Sequence, residues 1–225
     1  MKKVLSLCLV FVAINTYAQQ IIDREVGEFN EIKVFDLIEV NLIKSDENRI
    51  LIKGDNVHDI KFANKDGTLK LRMQLEKKFR GEDTLIEVYY TGLDVIDGNE
   101  GARIVCNEMI EQDRIELRAQ EGAKIKIGMD VDDADMKAVT GGIIEASGRA
   151  TNQVIVLNTG GIFEGKALKT EIASIRISAG GEASLHASDK VDINVKAGGD
   201  VYVYGNPREV NKNTLAGGRI YIRDY

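Results

Sequence analysis

The sequence predicts an all-β fold, a parallel β-helix preceded by a β-strand segment that caps or starts it. Three observations carry that expectation. A Gly-Gly motif recurs at nearly constant spacing, as in "VTGGIIEASG", "NTGGIFEG", "SAGGEASL", "KAGGDVYV" and "LAGGRIYI". The residues around it alternate apolar and polar with period two, the mark of a half-buried strand. Finally, 22 glycines, one proline and no tryptophan in 225 residues suit a repetitive β protein better than a helical one.

Along the chain, residues 1–18 come first. "MKKVLSLCLVFVAINTYA" has two lysines, an apolar run and a small-residue end, the layout of a secretory signal peptide with cleavage expected after Ala18. Cys8 follows Leu7, where a lipidated signal would carry a small residue, so lipidation is not expected. No segment reaches the roughly 20 apolar residues of a transmembrane helix. The mature chain is therefore expected in the periplasm, at the outer-membrane surface or outside the cell.

Residues 19–92 alternate without the glycine period. "EIKVFDLIEVNLIKS", "NRILIKGD", "DGTLKLRM" and "DTLIEVYYTG" read as strands, separated by turn-rich "KSDEN", "KGDN" and "NKDG". An open solenoid end exposes unpaired strand edges, so this segment is expected to cap the helix or to form its first, irregular coils.

Residues 93–225 hold the repeat. The first glycines are Gly101, Gly122, Gly141, Gly160, Gly180, Gly198 and Gly217, at intervals of 21, 19, 19, 20, 18 and 19 residues, with alanine as the second residue in the first two copies. A phosphate loop has no reason to recur in this way, and it would lead into a helix, whereas strands follow here. Ile104, Ile125, Ile144, Phe163, Ala183, Val201 and Ile220 form one inward column; Cys106, Ile127, Ala146, Gly165, Leu185, Val203 and Ile222 form a second. Another strand precedes each corner, with Ile96, Leu117, Met136, Ile155, Ile175 and Ile193 five residues before the glycine and Lys212 breaking the column. Coils of about 19–20 residues leave no room for crossover helices, so equivalent strands stack in parallel about 4.8 Å apart. Glycine at the corners allows positive φ and a sharp turn.

Several function classes are disfavoured. Loss of residues 1–18 removes Lys2 and Lys3 and no acid, leaving 28 bases against 36 acids, a net charge of −8. Nucleic acid is a poor partner for that charge. Cys106 is then the single cysteine, so no intramolecular disulfide framework is expected. "GMDVDDADMK" clusters Asp130, Asp132, Asp133 and Asp135, a set that could attract calcium. It lacks the glycine and glutamate of an EF-hand loop, and a solvated turn is the simpler reading, so no cofactor is expected. His58 and His186 are the two histidines. Ser184 and His186, two apart on a strand, do not face each other as a nucleophile and base must.

The last coils place Tyr202 beside Tyr221, Tyr204 beside Arg223, Asp200 beside Arg219, and His186 next to Tyr204. These outward residues are the first candidate ligand site, because aromatic faces with charged neighbours hold sugars or peptides. Cross-strand stabilisation explains the same pattern.

The exported start, "FDLIEVNLIKSDENRILIKGD", "DGTLKLRM" and "TGLDVID" leading into the Gly-Gly corners together resemble the auto-transporter adhesin family with a head GIN domain, from about residue 28 to residue 222. The resemblance implies a right-handed β-helix associated with the envelope of Gram-negative bacteria and called an adhesin by analogy. The expectation is a non-enzymatic binding or structural protein that recognises a surface polysaccharide or an envelope protein along a rigid flank. The alternative is a polysaccharide lyase or hydrolase on the same scaffold. A third is self-association through ends or flanks.

Overall fold

The computed structural model describes residues 21–54, 57–81 and 85–223. The expected signal peptide, residues 1–18, lies outside them. Seventeen strands are present among the described residues. The first eight are β1 (Ile21–Glu25), β2 (Glu31–Val34), β3 (Glu39–Lys44), β4 (Arg49–Lys53), β5 (Ile60–Lys65), β6 (Thr68–Met73), β7 (Leu85–Tyr90) and β8 (Val95–Gly98). Four long strands follow, β9 (Arg103–Gln120), β10 (Lys124–Val139), β11 (Ile143–Asn158) and β12 (Gly161–Ile177). The chain ends with β13 (Gly181–His186), β14 (Lys190–Ala197), β15 (Asp200–Tyr204), β16 (Glu209–Ala216) and β17 (Arg219–Ile222).

The repeat becomes a β-solenoid of about seven turns. Each long strand spans almost a whole coil, bending without losing its ladder, so the two strands read per repeat are one continuous element in β9 to β12. The inward residues locate the bend. Ala150 and Gln153 are both buried although three positions apart, which requires the chain to turn at Thr151 and Asn152; Thr170 and Ala173 repeat the pattern one coil on. The Ile104, Ile125, Ile144, Phe163, Ala183 and Val201 column is wholly buried, and Ile220 at the end is partly so. The solenoid core is therefore a set of stacked aliphatic columns.

The uneven intervals have local causes. Ile127 pairs with Cys106 but Gly128 pairs with Met109, so Asn107 and Glu108 bulge from β9 and lengthen its coil. Between β11 and β12 the register slips by one residue after Glu145, an insertion beside Lys166. Bulges of this kind bend a strand and re-aim its side chains.

The corners use glycine for two different reasons. Thr140 and Gly141 take φ of 51° and 73°, and Thr159 and Gly160 take 49° and 74°. The second glycine of these pairs meets crowding: a Cβ on Gly142 would lie 2.0 Å from the Ala119 carbonyl oxygen, and one on Gly161 would lie 2.0 Å from that of Ala138. The amide of Gly141 donates to the Thr159 carbonyl at 3.1 Å, and that of Gly122 to Thr140 at 3.1 Å. These amides tie coil to coil.

Residues 21–90 do not stack in chain order. On one face β3 lies between β7 and β9, and on the other β2 lies between β6 and β8, all in parallel. The coil made by β2 and β3 is thus enclosed by segments that follow it. Beyond β7 the ladder turns antiparallel through β4 to β1, and beyond β6 it turns antiparallel to β5. Reversed strands close this end of the parallel stack. At the opposite end, β16 and β17 pair on one side only among the described residues.

Candidate functional site

Two regions gather the residues singled out from the sequence. The first is the outer surface of the last coils. Tyr202 and Tyr221 are cross-strand partners whose rings stack at 5.0 Å between centroids and 11° between planes. The Arg223 guanidinium lies 5.0 Å from the Tyr221 ring centre and 5.9 Å from that of Tyr202. Asp200 accepts two hydrogen bonds from Arg219, from Nε at 2.7 Å and from a terminal nitrogen at 2.5 Å. The Arg219 hydrogen bond holds the Asp200 carboxyl below its ordinary range. Tyr204 pairs with His186 in register and carries Lys166 at 4.3 Å over its ring. The tyrosine faces of the stack are turned to each other and to Arg223, so edges and hydroxyls are what this surface offers.

The second region is a cleft of about 310 Å³ where β10, β11 and β12 bend. It is lined by Asp130, Asp132, Arg149, Lys169, Glu171 and His186, among others. The fold therefore brings half of the acid cluster to the histidine. The other half turns elsewhere: Asp133 accepts from Asn152 at 3.0 Å, and Asp135 pairs with Arg114 at 2.5 Å. Asp130 pairs with Arg149 at 2.7 Å. The four aspartates do not converge, and among the described residues no group of three or more histidine, cysteine, aspartate or glutamate side chains is placed to hold a metal ion.

His186 is half-buried in this cleft. Its Nδ1 is shielded from solvent and has no hydrogen-bond partner. Burial, with Lys169 nearby, holds the imidazole below its ordinary pKa, so it stays neutral and can both donate and accept. Its ring passes over Gly205, where a Cβ would meet the imidazole at 2.6 Å; Gly205 itself has φ 95°. Beneath, the His186 carbonyl accepts from the buried Gln153 amide at 2.8 Å and from the Thr170 hydroxyl. Gln153 also donates to Thr170 at 2.7 Å. These two buried polar side chains occupy inward positions that are alanine, Ala134 and Ala173, in the flanking coils at Gln153, and they anchor the backbone that carries His186.

Sequence reasoning missed Arg149, Lys169, Glu171 and the Gln153–Thr170 support. The available signal was Gln153, polar where the flanking coils carry Ala134 and Ala173, together with Thr170 where the preceding coils carry Ala150 and Val131.

A family model described as "Putative auto-transporter adhesin, head GIN domain" matches residues 28–207. The chain belongs to this family. The head GIN domain so defined contains the whole cleft and Tyr202, while Arg219, Tyr221 and Arg223 lie past its matched span. Among solved structures, a "putative adhesin" from Bacteroides fragilis is 19% identical, with 92% of this chain and 98% of that one covered and a TM-score of 0.85. A "putative adhesin" from Parabacteroides merdae is 15% identical over 92% and 97%, with a TM-score of 0.71. A "putative lipid binding protein" from Parabacteroides distasonis is 16% identical over 92% and 98%, with a TM-score of 0.70. At these identities the likeness shows the fold alone. No curated protein matches the chain. No helix among the described residues is long and apolar enough to cross a membrane.

Proposed function

We propose that this head GIN domain protein is a non-enzymatic, exported, adhesin-like binding module of the cell envelope that grips a polysaccharide across its coils. The observation that carries the reading is the bend cleft, where hydrogen-bonding groups from successive coils, Asp132, Thr151, Lys169 with Glu171, and neutral His186, line one groove. A chain of sugar hydroxyls lying along the solenoid axis would meet a new donor or acceptor at each coil, at the strand spacing of about 4.8 Å. Many weak contacts on a rigid flank then sum to useful affinity. The stacked Tyr202 and Tyr221 with Arg219 and Arg223 extend the same flank as a second contact zone.

Glycoside cleavage needs one carboxyl held protonated opposite a second. Hydrogen bonds from Lys124 and Arg219 keep Glu145 and Asp200, two carboxyls on the flank outside the cleft, ionised, so neither serves as that acid.

A panel of bacterial surface glycans tests this. The mature protein is expected to retain one polar class, and Lys169→Ala with His186→Ala should weaken retention at least about tenfold, about 1.4 kcal/mol, without a change in melting temperature beyond a few degrees. Release of new reducing or unsaturated ends from any glycan would replace the binding reading with an enzymatic one.

A further inference from the structure

The corner between β2 and β3 meets the corner between β8 and β9 through two carboxyl groups, one of them fully buried. Asp36 is fully buried at φ 61°. Its Oδ2 accepts the Met73 amide of β6 at 3.1 Å, and its backbone carbonyl accepts the Gly81 amide at 3.2 Å. Its Oδ1 is buried with no donor. Glu100, on the corner between β8 and β9, is held by Lys78 at 3.0 Å through Oε1, and its carbonyl accepts the Leu37 amide at 3.0 Å. Its Oε2 is also buried with no donor. The two carboxyls are neighbours, close enough to hydrogen-bond once one of them carries a proton.

Two ionised carboxylates in this position would combine like-charge repulsion with two unmet buried acceptors. One proton placed between them removes both penalties. We propose that Asp36 and Glu100 share a single proton at neutral pH, donated by Asp36, and that this bond is an acid-dependent latch joining the β2–β3 corner to the β8–β9 corner. The charged groups that reach the pair are Lys78, from the loop after β6, and Arg72 from β6; the two corners contribute only the carboxyls themselves.

The direction of titration agrees. Burial, reinforced by Glu100, pushes Asp36 up; for Glu100, burial is outweighed by hydrogen bonds from Lys78 and Asp36, and it lies low. A raised Asp36 contributes stability that is fully present at low pH and is lost as pH rises through its folded value. Glu100 acts in the opposite sense, losing its contribution as pH falls through the carboxylate range. His186, with a lowered pKa, loses its contribution as pH falls below 6.5. Cys106 and Tyr90, also raised by burial, lose theirs only as pH climbs past their ordinary values of 9.0 and 10.0, so a loss of stability below about pH 8 is the signature of Asp36.

Asp36→Asn isolates it. Asparagine can accept from Met73 and donate to Glu100 without titrating, and it tolerates positive φ. The full mature chain and this variant are compared by infrared spectroscopy at pH 7 and by melting from about pH 5 to about pH 8. The wild type is expected to show a protonated-carboxyl C=O band that the variant lacks, and a melting temperature that falls on the alkaline side where the variant's does not. Absence of that band in the wild type, or parallel melting profiles for the two proteins, would overturn the latch.

Discussion

At Gly160 and Gly161 adjacent glycines answer different demands, and substitution separates them. Gly160 has φ 74° with nothing within 4 Å of a Cβ, so Gly160→Ala meets only the left-handed penalty, about 1 kcal/mol. Gly161→Ala drives a methyl into the Ala138 carbonyl and should cost roughly 3 kcal/mol or more. Urea unfolding of the two variants checks the order. Thr159 preceding them is β-branched at φ 49°, a strained choice, and Thr159→Asn should raise stability by roughly 1 kcal/mol in the same measurement. The corner itself was legible from the recurring pair. The crowding under its second glycine was not, because it comes from a carbonyl one coil away.

Within the long strands, alternation predicted the inward columns residue by residue, and Gly165 in one of them explains itself only in three dimensions. A Cβ there would lie 2.2 Å from the Phe163 ring, so the ring fills the space of the missing side chain. Gly165→Ala should therefore destabilise, and adding Phe163→Leu should recover part of the loss, a coupling that a double-mutant cycle reads directly. Phe163→Ala alone should cost about 3–5 kcal/mol. The bend at Thr151 and Asn152 was hidden, since one apolar period on either side of it reads as two separate strands. For that reason Asp130 and His186, which the bend brings to one cleft, had no sequence signal linking them.

Among the described residues the stack is closed at one end and open at the other. Lys212 and Thr214 stand where preceding coils place Ile193 and Val195, and β16 is largely exposed, Leu215 at 83%. Polar groups in the inward column oppose stacking by a second solenoid. Lys212→Val with Thr214→Val should leave the fold intact and raise the sedimenting mass with concentration, measured by analytical ultracentrifugation against the wild type. The closed end could not be read so well, because strand order there departs from chain order. That departure governs how the molecule is assembled. Strands β2 and β3 leave the ribosome early, yet their partners on both sides, β6 to β9, are synthesised later. The first coil can gain its second set of partners, β8 and β9, only when nearly half the polypeptide has been made, so the solenoid cannot wind up strand by strand from its leading tip.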